Sequence, residues 1–204
     1  MFLSCSIGIS AQAVRVRSAA AGKVLVTKGK LRSTIDLSKN VAGCAYVPAS
    51  FKRDLDKKGC AASPATFKLI DSATRSNQTF LVLEAETMGN CNVCGQCGAS
   101  EAYALIWLKL DKRLRVLEQN SLPIEDCRAN IALLNEGTDA DENTQNSAWK
   151  FKDDILIVEA EKRIYENTDG KNYEFSHLEY NRKTPEKGFI IKTEKRADSS
   201  AKGN

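Results

Sequence analysis

The sequence predicts a mainly β protein: antiparallel strands meandering into a sandwich or barrel-like single domain, with one or two short helices. Three observations carry this. From residue 66 to residue 193 the chain is a succession of short segments that are apolar throughout or alternate apolar with polar. Polar turns separate them with no helical pattern between, so consecutive strands should pair antiparallel. Residues 102–110 (AYALIWLKL) are apolar on both faces, as a central strand buried on two sides is.

Taken in order, residues 1–13 (MFLSCSIGISAQA) carry no charge and end in Ala11-Gln12-Ala13, the small-x-small pattern that signal peptidase cuts after. They read as a signal peptide, truncated-looking because a positive n-region is missing, with the mature chain beginning at Val14. Phe2-Leu3-Ser4-Cys5 faintly resembles a lipoprotein cleavage site, but it lies too near the terminus for a normal apolar region. Residues 23–26 (KVLV) and 33–37 are the first strands. Residues 40–65 are irregular, and within them 50–58 (SFKRDLDKK) suit a short polar helix, with Ser50 as N-cap and Gly59 at its end.

Strand 66–70 leads through a polar turn (DSATRSN, 71–77) to strand 79–86 (TFLVLEAE), then to a cysteine-bearing loop and strand 102–110. A tight turn at Asp111-Lys112 enters an alternating strand holding Leu114 and Val116. An acidic loop (135–147) precedes a meander: Trp149 and Phe151, a turn at Asp153-Asp154, strand 155–165, a turn at Gly170, Tyr173 to Tyr180, a turn at Pro185, and FIIKT at 189–193. The domain is expected to span 14–195, with a disordered tail at 196–204.

Composition narrows the class. The chain has 204 residues, 42% hydrophobic and 27% charged, which suits one globular domain. Net charge is +4 and the basic residues are interleaved with acids, with neither a basic stripe nor a stacking module in view, so nucleic acid is not expected as a partner. No run reaches the length of a transmembrane helix.

Seven cysteines remain six once Cys5 is assigned to the signal: Cys44, Cys60, Cys91, Cys94, Cys97 and Cys127. An even set in an exported chain reads as a disulfide framework in a periplasmic or secreted protein. The preferred pairing is Cys44–Cys60, one bond inside the triplet Cys91/Cys94/Cys97, and one from the triplet to Cys127, each worth roughly 2–4 kcal/mol. Two other chemistries use the same sulfurs. Cys91, Cys94, Cys97 and Cys127 could present four thiolates to zinc, although a fused CxxCxxC with a lone fourth cysteine departs from the usual two CxxC pairs. Cys91 and Cys94 could form a thiol–disulfide oxidoreductase pair, although the segment that follows reads as strand rather than helix.

Other catalytic signals are thin. The single histidine, His177, sits on an alternating strand, and no GxSxG, HExxH, Walker or GxGxxG motif occurs. Asp139, Asp141 and Asn143 begin like a calcium loop, but Lys150 stands where the bidentate Glu belongs. Asn77-Gln78-Thr79 is a glycosylation sequon, relevant only in a eukaryotic secretory host. Trp107, Trp149, Phe80, Phe151, Phe175 and Phe189 are read as core. The sequence thus points away from catalysis and a bound cofactor, and toward a disulfide-stabilised binding or inhibitory module for a protein or envelope component, with the loop at residues 89–100 as its recognition surface.

Overall fold

The computed structural model describes residues 13–19, 22–45, 64–91, 97, 100–134, 151–165 and 171–197, and these form antiparallel sheets. β1 (Val14–Ala19), β2 (Lys23–Lys28) and β3 (Leu31–Asp36) make a three-stranded meander. β4 (Thr66–Arg75), β5 (Gln78–Met88), β6 (Glu101–Leu110) and β7 (Val116–Glu125) make a four-stranded one. β8 (Ile131–Leu133), β9 (Phe151–Lys152), β10 (Ile155–Tyr165), β11 (Lys171–Asn181) and β12 (Ile190–Ala197) make the third, in the order β12-β11-β10-β8 with β9 also on β10.

The layers follow from the sequence of β5 and β6. Side chains alternate across the pleat, so a strand apolar at every position needs a partner on each face. Leu81, Leu83, Ala85, Ile106 and Leu108 turn one way and pack with Val24, Val26, Ile35 and Leu37 of the β1–β3 sheet. Phe80, Val82, Leu105 and Trp107 turn the other way and pack with Leu156, Val158, Leu178, Tyr180 and Phe189 of the third sheet. The four-stranded sheet is the middle of a three-layer sandwich, and among the described residues no sheet closes into a barrel. Each fully buried leucine contributes about 2 kcal/mol by removal from water.

A bulge in β4 fixes how the third sheet docks. Leu69 pairs with Leu83, but the next partner of Val82 is Asp71, leaving Ile70 as the extra residue. The shift moves Asp71 to the face shared with Val82. There it accepts a 2.9 Å hydrogen bond from the Tyr180 hydroxyl and one of 3.4 Å from Arg182. Burial first, and then the neighbouring carboxylate, push the Tyr180 hydroxyl far above the usual phenol range, so it stays a donor. Nearby, the Trp107 indole N–H donates to the Pro185 carbonyl at 3.0 Å, and Gly188, at φ +66°, lets the chain pass over the ring.

Glu84 is the only charged side chain in the buried set among the described residues, and its Oε2 has no hydrogen-bond partner there. Lys68 Nζ lies 3.8 Å away and is itself mostly exposed. Burial raises the Glu84 carboxyl above its ordinary value, Lys68 partly opposes this, and Glu86 adds to it. A raised folded-state value means the folded chain holds the proton more tightly. Glu84 therefore adds stability as pH falls through its folded value toward the ordinary one, and that stability is lost as pH rises again. Glu84→Gln is expected to stabilise the fold by about 1 kcal/mol at neutral pH, with the gain vanishing below the ordinary carboxyl value. Urea denaturation of both proteins at the two pH values checks this; a gap unchanged in acid would contradict it.

Several expectations need correction. β1, read from sequence only as the start of the mature chain, is a strand, because Val14 and Val16 pack on the first core while Arg15 and Arg17 face outward. β4 runs to Arg75, so the turn before β5 is only Ser76-Asn77, both at positive φ; the polar stretch 71–75 belongs to a strand at the edge of its sheet. The β6–β7 turn extends to Arg115 (Asp111 N–H to Arg115 O, 2.9 Å), and Leu114 lies in that turn at φ +63°, buried in the core rather than in an alternating strand. β8 had no strand signal, and β12 continues to Ala197, into the expected tail. Among the described residues the only helical element is the 3₁₀ turn Pro185–Lys187. The signal segment up to Gln12, the helix at 50–58, Trp149, the acidic loop with Asp139, Asp141 and Asn143, and the tail beyond Ala197 lie outside the described residues.

Candidate functional site

β5 and β6 are joined by the cysteine-bearing loop, and its ends are drawn together by short polar contacts. The Gly89 N–H donates to the Ser100 carbonyl at 2.8 Å, and the Ser100 hydroxyl donates to the Cys97 carbonyl at 2.8 Å. Gly89 is required here, since a Cβ would stand 2.4 Å from Ser100 Oγ and 2.5 Å from the Cys97 oxygen.

Among the described residues, two disulfides tie this loop to different parts of the chain. Cys91 bonds Cys44, with Cα atoms 5.1 Å apart, and Cys97 bonds Cys127, with Cα atoms 5.6 Å apart. Cys44 is carried to β5 by an isolated antiparallel bridge to Met88, whose carbonyl accepts from the Cys44 N–H at 2.7 Å. Cys127 is carried by the turn between β7 and β8. Asp126 Oδ1 caps that turn by accepting from the N–H groups of Arg128 (2.9 Å) and Ala129 (3.2 Å). Its Oδ2 accepts from the Gly43 N–H at 3.2 Å, so one carboxylate joins the Cys44 and Cys127 segments. The Thr87 hydroxyl donates to the Ala42 carbonyl, and Ala42, Ala102 and Ala104 form a small buried cluster beneath. Small side chains are needed because the backbones approach closely.

The structure corrects the preferred pairing. Cys44 takes Cys91 rather than Cys60, and no bond closes inside the triplet, because Cys91 and Cys97 leave in two directions. The bond from the triplet to Cys127 is present. Proximity in sequence favoured Cys60, whereas the Cys44–Met88 bridge, a tertiary contact, brings Cys44 to Cys91 instead. Cys60 and Cys94 lie outside the described residues.

This arrangement constrains the chemistry. A sulfur in a disulfide is neither a thiolate nucleophile nor a zinc ligand. Three of the four sulfurs in the zinc reading, Cys91, Cys97 and Cys127, are so engaged, as is the first sulfur of the redox pair. Among the described residues no group of three or more His, Cys, Asp or Glu is placed to hold a metal.

Other singled-out residues fall elsewhere. His177 stands on the outer face of β11, its Nδ1 3.2 Å from Glu159 Oε1. Phe80, Trp107, Phe151 and Phe189 pack in or against the second core, as expected. Phe175 does not: it faces outward, half-buried, with its ring 6.2 Å from that of Tyr173, because the inward positions of β11 are those of Leu178 and Tyr180. Sequence reasoning also missed a cleft of about 330 Å³ beside β7, lined by Trp107, Glu118, Gln119, Asn120, Lys187, Gly188 and Phe189. No local pattern signals it, since its walls come from β6, β7 and the turn before β12.

No protein-family model, curated protein or solved structure matches this chain.

Proposed function

We propose that the protein is an extracytoplasmic, disulfide-stabilised recognition module without catalytic activity, periplasmic or secreted, and that the braced end of the β5–β6 hairpin presents its binding surface to a protein or envelope component. The observation that carries this reading is the pair of disulfides, Cys44–Cys91 and Cys97–Cys127, converging on one connection between two central strands. Such bonds persist in oxidising compartments. Anchoring a loop at two points lowers the entropy lost when it engages a partner, which is how a rigid scaffold gains affinity without added contact area.

The first test is an intact-mass count of thiols on denatured protein, alkylated with and without reduction, beside elemental analysis of the native sample. The expected result is protection of Cys44, Cys60, Cys91, Cys94, Cys97 and Cys127 before reduction, with no bound zinc. Alkylation of Cys91, Cys94, Cys97 and Cys127 without reduction, with stoichiometric zinc, would overturn the reading and install the four-thiolate site. The second test concerns recognition. Replacing Asn92-Val93 by Gly-Ser and Gln96 by Ser changes the loop and keeps every one of its cysteines. For an envelope partner that the full chain binds, affinity is expected to fall at least about tenfold, the effect of losing one well-buried contact. Unchanged affinity removes the loop as the binding surface.

A further inference from the structure

The first sheet ends in a regular strand edge. β3 pairs with β2 in unbroken register from Lys28↔Leu31 to Lys23↔Asp36, and among the described residues no strand pairs with its other edge. Hydrogen bonding alternates along an antiparallel pair, so the groups that face out can be assigned. One step beyond the last pair, the Leu37 N–H donates to the Gly22 carbonyl at 3.0 Å, which makes 22 and 37 a bonded pair. Counting back from it, Ile35, Ser33 and Leu31 bond toward β2, whereas Arg32, Thr34 and Asp36 turn their N–H and C=O groups to the open edge.

The other edges among the described residues carry the devices that keep a strand from pairing with a second chain. β1 and β4 cover each other, the Phe67 N–H donating to Ser18 Oγ at 2.7 Å. β7 holds Pro123 and two register shifts, and β8 and β9 are three and two residues long. β12 carries Lys192, Glu194, Lys195 and Arg196. β3 has neither proline nor bulge, and its two charges, Arg32 and Asp36, are opposite in sign with Thr34 midway between them. All three side chains are exposed on the outward side of the sheet, opposite buried Ile35.

We propose that β3 pairs antiparallel with β3 of a second copy, about a two-fold axis at Thr34, joining two three-stranded sheets into one of six. With Thr34 opposite the partner's Thr34, Arg32 stands opposite the partner's Asp36, and symmetry repeats that contact. All three open residues of each strand then exchange backbone hydrogen bonds. A slip of two residues either way leaves one of them without a strand partner, so this register is the favoured one. Opposite charges facing across an antiparallel pair stabilise it. Asp36 accepts from the Ser38 N–H (3.0 Å) and the Ser38 hydroxyl (2.7 Å) through Oδ1, so Oδ2 is the atom that takes the partner's guanidinium. Among the described residues Arg32 is held in no ion pair. A second copy is the fitting occupant because Arg-x-Thr-x-Asp, read antiparallel against itself, places Arg on Asp, Thr on Thr and Asp on Arg. A foreign strand would have to supply the same charges at the same spacing. The edge belongs to the first sheet, whereas the cysteine-braced loop joins β5 and β6 of the middle sheet, so neither proposal depends on the other.

The test is sedimentation velocity of the full chain over a concentration series. One strand pair makes a small interface, so a reversible monomer–dimer equilibrium is expected. Arg32→Asp and Asp36→Arg should each weaken the dimer at least about tenfold, because symmetry imposes the like-charge contact twice. Mixed in equal amounts, the two variants are expected to associate again, each supplying the charge that the other lacks. Arg32→Asp/Asp36→Arg in one chain should do the same. Restoration separates strand pairing from damage to the fold, since Asp36→Arg also removes the acceptor that holds Ser38. A chain that stays monomeric up to about millimolar concentration would overturn the proposal. So would a dimer that neither single variant weakens, or a mixture that associates no better than its components.

Discussion

Removing the Cys44–Cys91 bond by the double substitution Cys44→Ala/Cys91→Ala is expected to lower the free energy of unfolding by about 4 kcal/mol. The bond spans 47 residues, and cross-linking a loop of that length removes a large share of the open conformations available to the unfolded chain. The loss should add to a packing cost, because Cys44 is buried and its N–H bonds Met88 at the lip of the middle sheet. Cys97→Ala/Cys127→Ala, spanning 30 residues, should cost nearly as much. It should act mainly on the β7–β8 turn, leaving the Cys44–Met88 bridge intact. Urea denaturation followed by tryptophan fluorescence measures both, since Trp107 is buried between two sheets. A cost below about 1 kcal/mol for either pair would mean that hydrogen bonding alone holds these segments. Ordinary stabilities of 5–15 kcal/mol make either loss a large fraction of the whole.

Gly43→Ala is expected to destabilise the fold by about 3 kcal/mol or more and to slow formation of the Cys44–Cys91 bond during oxidative refolding. Gly43 has φ +62°, which costs a non-glycine residue about 1 kcal/mol by itself. A Cβ there would stand 2.2 Å from the Met88 carbonyl, the oxygen that accepts from Cys44, and 2.9 Å from both Ala102 Cβ and Thr87 Oγ1. Two of these neighbours belong to β5, so relief requires the 42–44 segment to lift away. Lifting would break the Cys44 N–H bond to Met88 (2.7 Å) and the Gly43 N–H bond to Asp126 (3.2 Å) together. Thermal melting with quenched thiol labelling during refolding reads both effects. A variant that melts within a degree or two of the parent would show that this end of the sheet yields easily.

The two predictions share a place because that place was hard to read in the sequence. The three clustered cysteines and Cys127 drew attention to the loop, and the disulfides Cys44–Cys91 and Cys97–Cys127 do converge on it. Their partners were misassigned, since pairing depends on which segments the fold brings within reach of one another, and sequence distance is a poor guide to that. Gly43, Thr87 and Asp126, which organise the site, carry no local pattern at all. Glycine at positive φ, a buried hydroxyl and a turn-capping carboxylate acquire meaning only against neighbours distant in the chain. The cationic character of the first sheet was open to a sequence reading, since Arg15, Arg17, Lys23, Lys28, Lys30 and Arg32 all precede the first acid, Asp36, but only antiparallel register decides that Arg15, Arg17, Lys23 and Arg32 share one side of the sheet.

By itself the amino-acid order determined the β class, the antiparallel meander, and the identity of 102–110 as a strand buried on both faces. These follow from side-chain period and from the need to cover apolar surface, and both are local properties. Tertiary structure alone decided that two further sheets cover that strand, that the sandwich has three layers, that a single bulge at Ile70 turns Asp71 toward Tyr180, and which cysteines meet. An apolar face specifies that something must pack on it without specifying what. The choice is made by the register and layering of strands far apart in the chain, and no short window of sequence contains it.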